Sequence, residues 1–158
     1  DVALVIKSNG FGLVDEWINA ARTPNGPEIV YTYGEASESE ISGYYTATDC
    51  FVYPVHAEGA GLPVLESLAC GRPAIVPLYS GLTDFCNASN SFPLKHKIVR
   101  PDRPYSNYSG TSVETWAEIS EEDLIAQLKY SAGNPDIVKK KGEYALLGDG
   151  LIFSPVGY

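Results

Sequence analysis

A chain of 158 residues, 44% of them hydrophobic, is long enough for one domain with its own core, and a single domain over 1–158 is expected. The formal charge is −9, and the basic residues are scattered apart from Lys139, Lys140 and Lys141. No nucleic-acid partner is therefore expected, because phosphate backbones are held by clustered Lys and Arg. No run of about 18 apolar residues reads as a membrane span, and membrane contact is expected to be at most peripheral, through that lysine cluster.

The chain opens on "DVALVIK", which reads as a strand over 2–7 already under way, and it contains no Met. A longer parent protein is expected. A helical pattern follows at 13–22, and Pro24-Asn25-Gly26-Pro27 separates it from a second strand at 29–34. A helix at 38–48, a strand at 50–55, a helix at 62–70 and a strand at 74–78 continue the alternation, with Gly71 and Pro73 stopping the third helix. Continuous apolar strands between helices predict an α/β, Rossmann-like three-layer domain with a parallel sheet.

Beyond Asp84 the pattern weakens into a stretch rich in Ser, Asn, Pro and Tyr up to Val113, which reads as a long surface loop with a short strand at Lys97–Val99. Ser120 then reads as a helix cap, with early carboxylates at the positive end of the dipole. That helix is predicted to reach Gly133. Another starts at Asn134-Pro135 and runs to Leu147, and 148–158 reads as an irregular tail.

Cys50, Cys70 and Cys86 are odd in number, lack C-x-x-C spacing and lie in or beside apolar runs. They read as buried, reduced thiols in a cytoplasmic protein. Asn87-Ala-Ser89 and Asn107-Tyr-Ser109 match the glycosylation acceptor triplet, but that reading needs a secretory context the sequence does not show.

The most informative stretch is "EGAGLPVLESLACGRPAIV" at 58–76. In doubly wound sheets, ligands bind where the C-terminal ends of strands lead into helix N-termini. Gly59 and Gly61 let backbone approach a ligand closely, Pro63 suits the first helical turn, and free amides there favour an anion such as a diphosphate. On a helical wheel Leu62, Leu65, Leu68 and Ala69 form one apolar arc, with Glu66 at its border and the solvent side near Pro63 and Ser67. A carboxylate at such a border needs hydrogen-bond donors, which the hydroxyls of a bound sugar would supply.

"YPVHAEGAGLPVLESLACGRPAIV" resembles the donor-binding motif of retaining glycosyltransferases of the GT-B fold, the group 1 or family-4-like class. The spacing from Glu58 to Glu66 and the tail Ala69-Cys70-Gly71-Arg72-Pro73 carry the likeness, which extends over about 1–147. The resemblance implies one half of a GT-B fold, the C-terminal donor-binding half, with the first strand and the N-terminal acceptor domain lying outside this chain. It implies a nucleotide-sugar donor, UDP-, GDP- or ADP-linked, and a glycan or other acceptor.

By position, Glu58 would sit beside the donor sugar as the catalytic residue. The backbone of Gly59, Ala60, Gly61 and Leu62 would meet the diphosphate and sugar, and Glu66 would grip the ribose hydroxyls. The family's usual phenylalanine in this loop is Ala60 here, and its later loop often carries a glutamate where this chain has Thr83 or Asp84. Lys7, at the end of a strand, is a further candidate for the diphosphate, and Gly34 one for the base.

No D-x-D motif occurs, so no metal cofactor is expected and cations and helix amides are left to stabilise the leaving group. Two other readings compete. Gly10-Phe11-Gly12 after a strand, with Glu35 after the next, suggests an NAD-dependent oxidoreductase, although the third glycine of that fingerprint is missing. A non-catalytic nucleotide-sugar-binding module that kept the motif is the other. The isolated chain is expected to turn over little or nothing.

Overall fold

A computed structural model describes residues 2–9, 14–100 and 115–147. The predicted tail at 148–158, the Gly10-Phe11-Gly12 turn, and the Asn107 acceptor triplet lie outside these residues. The chain divides into two compact units, Asp1–Thr48 and Asp49–Tyr158.

The first unit is a β-α-β-α run: β1 (Ala3–Ser8), α1 (Val14–Ala21), β2 (Glu28–Tyr33) and α2 (Glu38–Ala47). β1 and β2 pair in parallel, from Ala3 opposite Glu28 to Ser8 opposite Tyr33. Parallel neighbours need a crossover, and α1 supplies it, burying Ile18. Arg22, just past α1, donates to the Ile29 carbonyl at 3.1 Å and so ties the helix end to β2. α2 opens with a capping box: the Ser37 hydroxyl accepts from the Glu40 amide, and the Glu40 carboxylate accepts from the Ser37 amide at 2.8 Å. Those bonds from Ser37 hold the Glu40 carboxyl below its usual range.

In the second unit, β3 (Phe51–Val52), β4 (Ala74–Pro77) and β5 (Ser91–Leu94) form a parallel sheet in that order. β4 is central and buried along its length. Alternation along it builds two cores. Ala74 and Val76 pack with Val64 and Leu68 of α3 (Leu62–Ala69) and with Leu82 and Cys86. Ile75 packs on the other side with Phe92, Leu94 and Val138. Val138 belongs to α5 (Pro135–Leu147), which follows α4 (Glu121–Gly133). Parallel strands covered by helices on both faces are the α/β architecture predicted from the sequence.

Two further strands, β6 (His96–Val99) and β7 (Trp116–Ile119), pair antiparallel. Ser120 caps α4 as expected, its hydroxyl accepting from the Asp123 amide at 3.3 Å. The Asp123 carboxylate is buried and accepts from the Lys95 amide at 2.7 Å, which fastens the start of α4 to the β5–β6 junction. Where α5 crosses the end of α3, a Cβ on Gly142 would overlap the carbonyl oxygen of Gly71.

Three expectations need correction. Over the described residues to 100, the stretch after Asp84 holds the expected strand at Lys97–Val99 within β6, but ahead of it a 3-10 turn (Ser80–Asp84) leads to a buried strand, β5, that was not expected; 101–113 lie outside the described residues. Pro93 disguised β5, yet among the described strands β5 pairs only with β4, and an edge strand tolerates a missing N–H. The turn of α3 also differs. Val64, Ser67 and Leu68 are its buried residues, while Leu62 is 62% exposed and Ala69 faces out. Ser67 turns inward because its hydroxyl donates to the Arg72 carbonyl at 3.0 Å, so a polar atom is buried without loss. Of the three cysteines, Cys86 alone is fully buried; Cys50 and Cys70 are half-buried, and all are free thiols.

Candidate functional site

The loop from β3 to α3 starts from a fixed point. Tyr53 continues the pairing of β3 through its amide, which donates to the Ile75 carbonyl at 2.9 Å, and its ring stacks on Phe51 with centroids 5.6 Å apart. Its hydroxyl donates to Glu58 Oε2 at 2.7 Å. That bond holds the Glu58 carboxyl below its usual range, helped by the backbone amides of Gly61, Ala60 and Gly59 and opposed by burial. Conversely, burial and the bond to Glu58 push the Tyr53 phenol up to about 12.

The loop's far side is closed by the segment after β4. The Gly81 amide donates to the Glu58 carbonyl at 3.1 Å, and a Cβ on Gly81 would overlap the Gly59 carbonyl oxygen. Ser80, next to it, has φ 55°, a conformation rare for a residue with a side chain. Gly61 is the N-cap of α3 in the left-handed region (φ 66°), where a Cβ would stand 2.6 Å from Leu82 Cδ2. Gly61 has no side chain with which to cap this helix. Pro63 in the first turn has no N–H to leave unsatisfied.

His56 is held away from free rotation. Its ring stacks on Trp116 with centroids 4.6 Å apart, and its Nδ1 lies 2.8 Å from the Ala117 carbonyl. A carbonyl can only accept, so Nδ1 carries the proton. The Ala117 amide returns a bond to the His56 carbonyl at 2.8 Å, stitching β7 to the loop.

Glu66 is exposed on α3, on the face it shares with Leu62 and Ala69 at i, i+4, i+7 spacing. In the first unit, the structure brings Lys7 and Gly34 together at the C-terminal ends of β1 and β2. The Lys7 ammonium donates to the Gly34 carbonyl, and at 3.2 Å to both the Ser8 carbonyl and Asn9 Oδ1. Gly34 itself has φ 107° and donates to the Ser8 carbonyl at 3.0 Å. A hollow of about 610 Å³ lined by Val2, Ala3, Asn25, Gly26, Pro27 and Glu28 lies at the opposite ends of these strands, where parallel sheets do not bind ligands. Among the described residues, no three His, Cys, Asp or Glu side chains are grouped to hold a metal ion.

The model of the family described as "Glycosyl transferases group 1" matches residues 13–91, half of the chain. The chain belongs to the group 1 glycosyltransferases. A glycosyltransferase of Sulfolobus islandicus rod-shaped virus 1, described as "Uncharacterized glycosyltransferase 335", is 39% identical over 62 residues, which are 39% of this chain and 18% of that protein. A D-inositol 3-phosphate glycosyltransferase of Frankia alni is 32% identical over 83 residues, 51% of this chain and 20% of that protein. An O-antigen chain mannosyltransferase B of Escherichia coli is 40% identical over 42 residues, 27% of this chain and 11% of that protein. The chain thus matches a fifth or less of the length of these relatives.

Membership of the group 1 glycosyltransferases sets aside the oxidoreductase reading. The matched span contains Glu58, Gly59, Ala60, Gly61, Leu62, Glu66 and Gly34, while Lys7 lies before it. Sequence reasoning missed two residues that shape the glycosyltransferase loop. Tyr53 was legible only as a strand aromatic five positions before Glu58, and Gly81 only as a glycine after a strand. Neither carries a local signal, because each reaches the loop through a tertiary contact. No helix among the described residues is long and apolar enough to cross a membrane.

Proposed function

We propose that this chain is the nucleotide-sugar donor-binding part of a retaining glycosyltransferase. The observation that carries this reading is the Glu58 loop: a carboxylate beyond the C-terminal end of a parallel strand, bonded by the Tyr53 hydroxyl at 2.7 Å, in a glycine loop that leads directly into α3, whose N-cap Gly61 has no side chain. Free amides at a helix N-terminus favour an anion such as a diphosphate.

In this reading, the donor's diphosphate binds against the glycine-loop amides and the Leu62 end of α3. Charge develops negatively on the departing diphosphate and positively at the anomeric carbon, and fixed amide dipoles favour the first without a metal ion. Glu58 faces the sugar beside that diphosphate. Glu66, on the open face of α3, takes the ribose hydroxyls. Within the first unit, Lys7 and the backbone of Gly34 stand at the C-terminal ends of β1 and β2, the ends at which parallel strands present groups to ligands. The acceptor is bound by the N-terminal domain of a longer, cytoplasmic protein.

Titrating the chain with UDP, GDP and ADP while recording amide NMR spectra tests this reading. Shifts concentrated at residues 58–62 and 66 with at least one nucleotide are expected. Silence with all three overturns it.

A further inference from the structure

The Glu58 carboxylate does not hang from a flexible loop alone. Its Oε2 accepts at 2.7 Å from Tyr53, and Tyr53 is anchored twice, by its amide to the Ile75 carbonyl and by its ring to Phe51 and the core beneath the loop. The residue following it in the fold is Pro54, and the intervening turn is closed by the Val55 amide donating to the Tyr53 carbonyl at 3.0 Å. The phenol is therefore a rigid post, and the glutamate is pinned to it across five residues.

We propose that Tyr53 is a positioning residue of this site, a fixed phenol that sets the orientation of the Glu58 carboxylate. The proposal rests on the donor-binding reading above and adds to it the group that prepares Glu58. A carboxylate that must sit beside a sugar as charge develops works best when its place and charge are set before the donor arrives. A short bond from a neutral phenol does both, since O–H donation to a carboxylate favours its charged form. Among the described residues, the groups that act on the Glu58 carboxyl are uncharged: the Tyr53 phenol first, then the amides of Gly61, Ala60 and Gly59.

The test is the titration of the Glu58 side-chain carboxyl, followed by carbon NMR in the 158-residue chain. Tyr53→Phe keeps the ring and removes the donor, so the Glu58 midpoint is expected to move upward. Placing 3-fluorotyrosine at position 53 strengthens the donor and is expected to move it downward. Opposite shifts are a signature that mere packing does not produce. An unchanged midpoint in both variants overturns the proposal, and if Tyr53→Phe fails to fold, the fluorinated chain decides alone. Opposite shifts together with no nucleotide response in the unmodified chain leave Tyr53 as the post for Glu58 and overturn the donor-binding reading instead.

Discussion

Gly81 lies against Gly59 so closely that a Cβ on Gly81 would overlap the Gly59 carbonyl oxygen. Two main-chain segments that follow neighbouring parallel strands meet there with no side chain between them, and the Gly81 amide bonds the Glu58 carbonyl across the same contact. Gly81→Ala must push the glycine loop outward. Overpacking of this kind costs about 1–3 kcal/mol. A lower denaturation midpoint, with the largest amide shifts at residues 58–61, is the expected result.

Glu58→Gln keeps the shape of the side chain and removes its charge. On the donor-binding reading proposed above, sugar transfer by a protein that contains this chain is expected to fall by about two orders of magnitude or more, as when a group acting on transition-state charge is lost. The fold survives. The same variant has a pH signature: the Glu58 carboxyl sits below its ordinary value of 4.5, so folding binds fewer protons than unfolding there. Its stabilising contribution is complete above 4.5 and is lost as pH falls through the lower, folded-state value. Urea midpoints followed from neutral to acid pH should therefore decline less steeply in Glu58→Gln than in the unaltered chain.

Glu66→Ala separates binding from stability. Glu66 is exposed, and surface substitutions of this kind usually alter stability by within about 0.5 kcal/mol. Nucleotide affinity is expected to weaken by about 1–3 kcal/mol, the loss of a charged hydrogen-bonded contact. Calorimetric titration against thermal unfolding of the same samples checks both halves.

Burial pushes the thiols of Cys50 and Cys86 up to about 12. The thiolate is the reactive form, so neither should be alkylated by iodoacetamide near pH 8 while the chain is folded, and both should react in denaturant. Mass spectrometry of the two reactions reads this directly.

The sequence made much of this architecture legible because its elements are long or well punctuated. Ser120 and the Asn134-Pro135 break mark α4 and α5 closely, and the apolar run at 74–78 can only be a covered strand. β5 was hidden because Pro93 interrupts a run of four residues, and β7 because Trp116–Ile119 is short and leads straight into a helix cap. The face of α3 was misread for a different reason. A wheel weighs side chains by polarity, while Ser67 is drawn inward by a backbone acceptor and Leu62 is left outside. Glu58 and Glu66 stood out through their spacing. The partners that shape Glu58 did not, because Tyr53 and Gly81 meet it only after the chain has folded.

Helix α3 is clamped at both extremities by contacts that involve no side chain on the clamping residue, Gly81 against Gly59 ahead of it and Gly142 against Gly71 behind it. Its outward row, Leu62, Glu66 and Ala69, contributes little to either clamp. Substitutions along that row change what the helix presents outward while leaving both main-chain clamps in place.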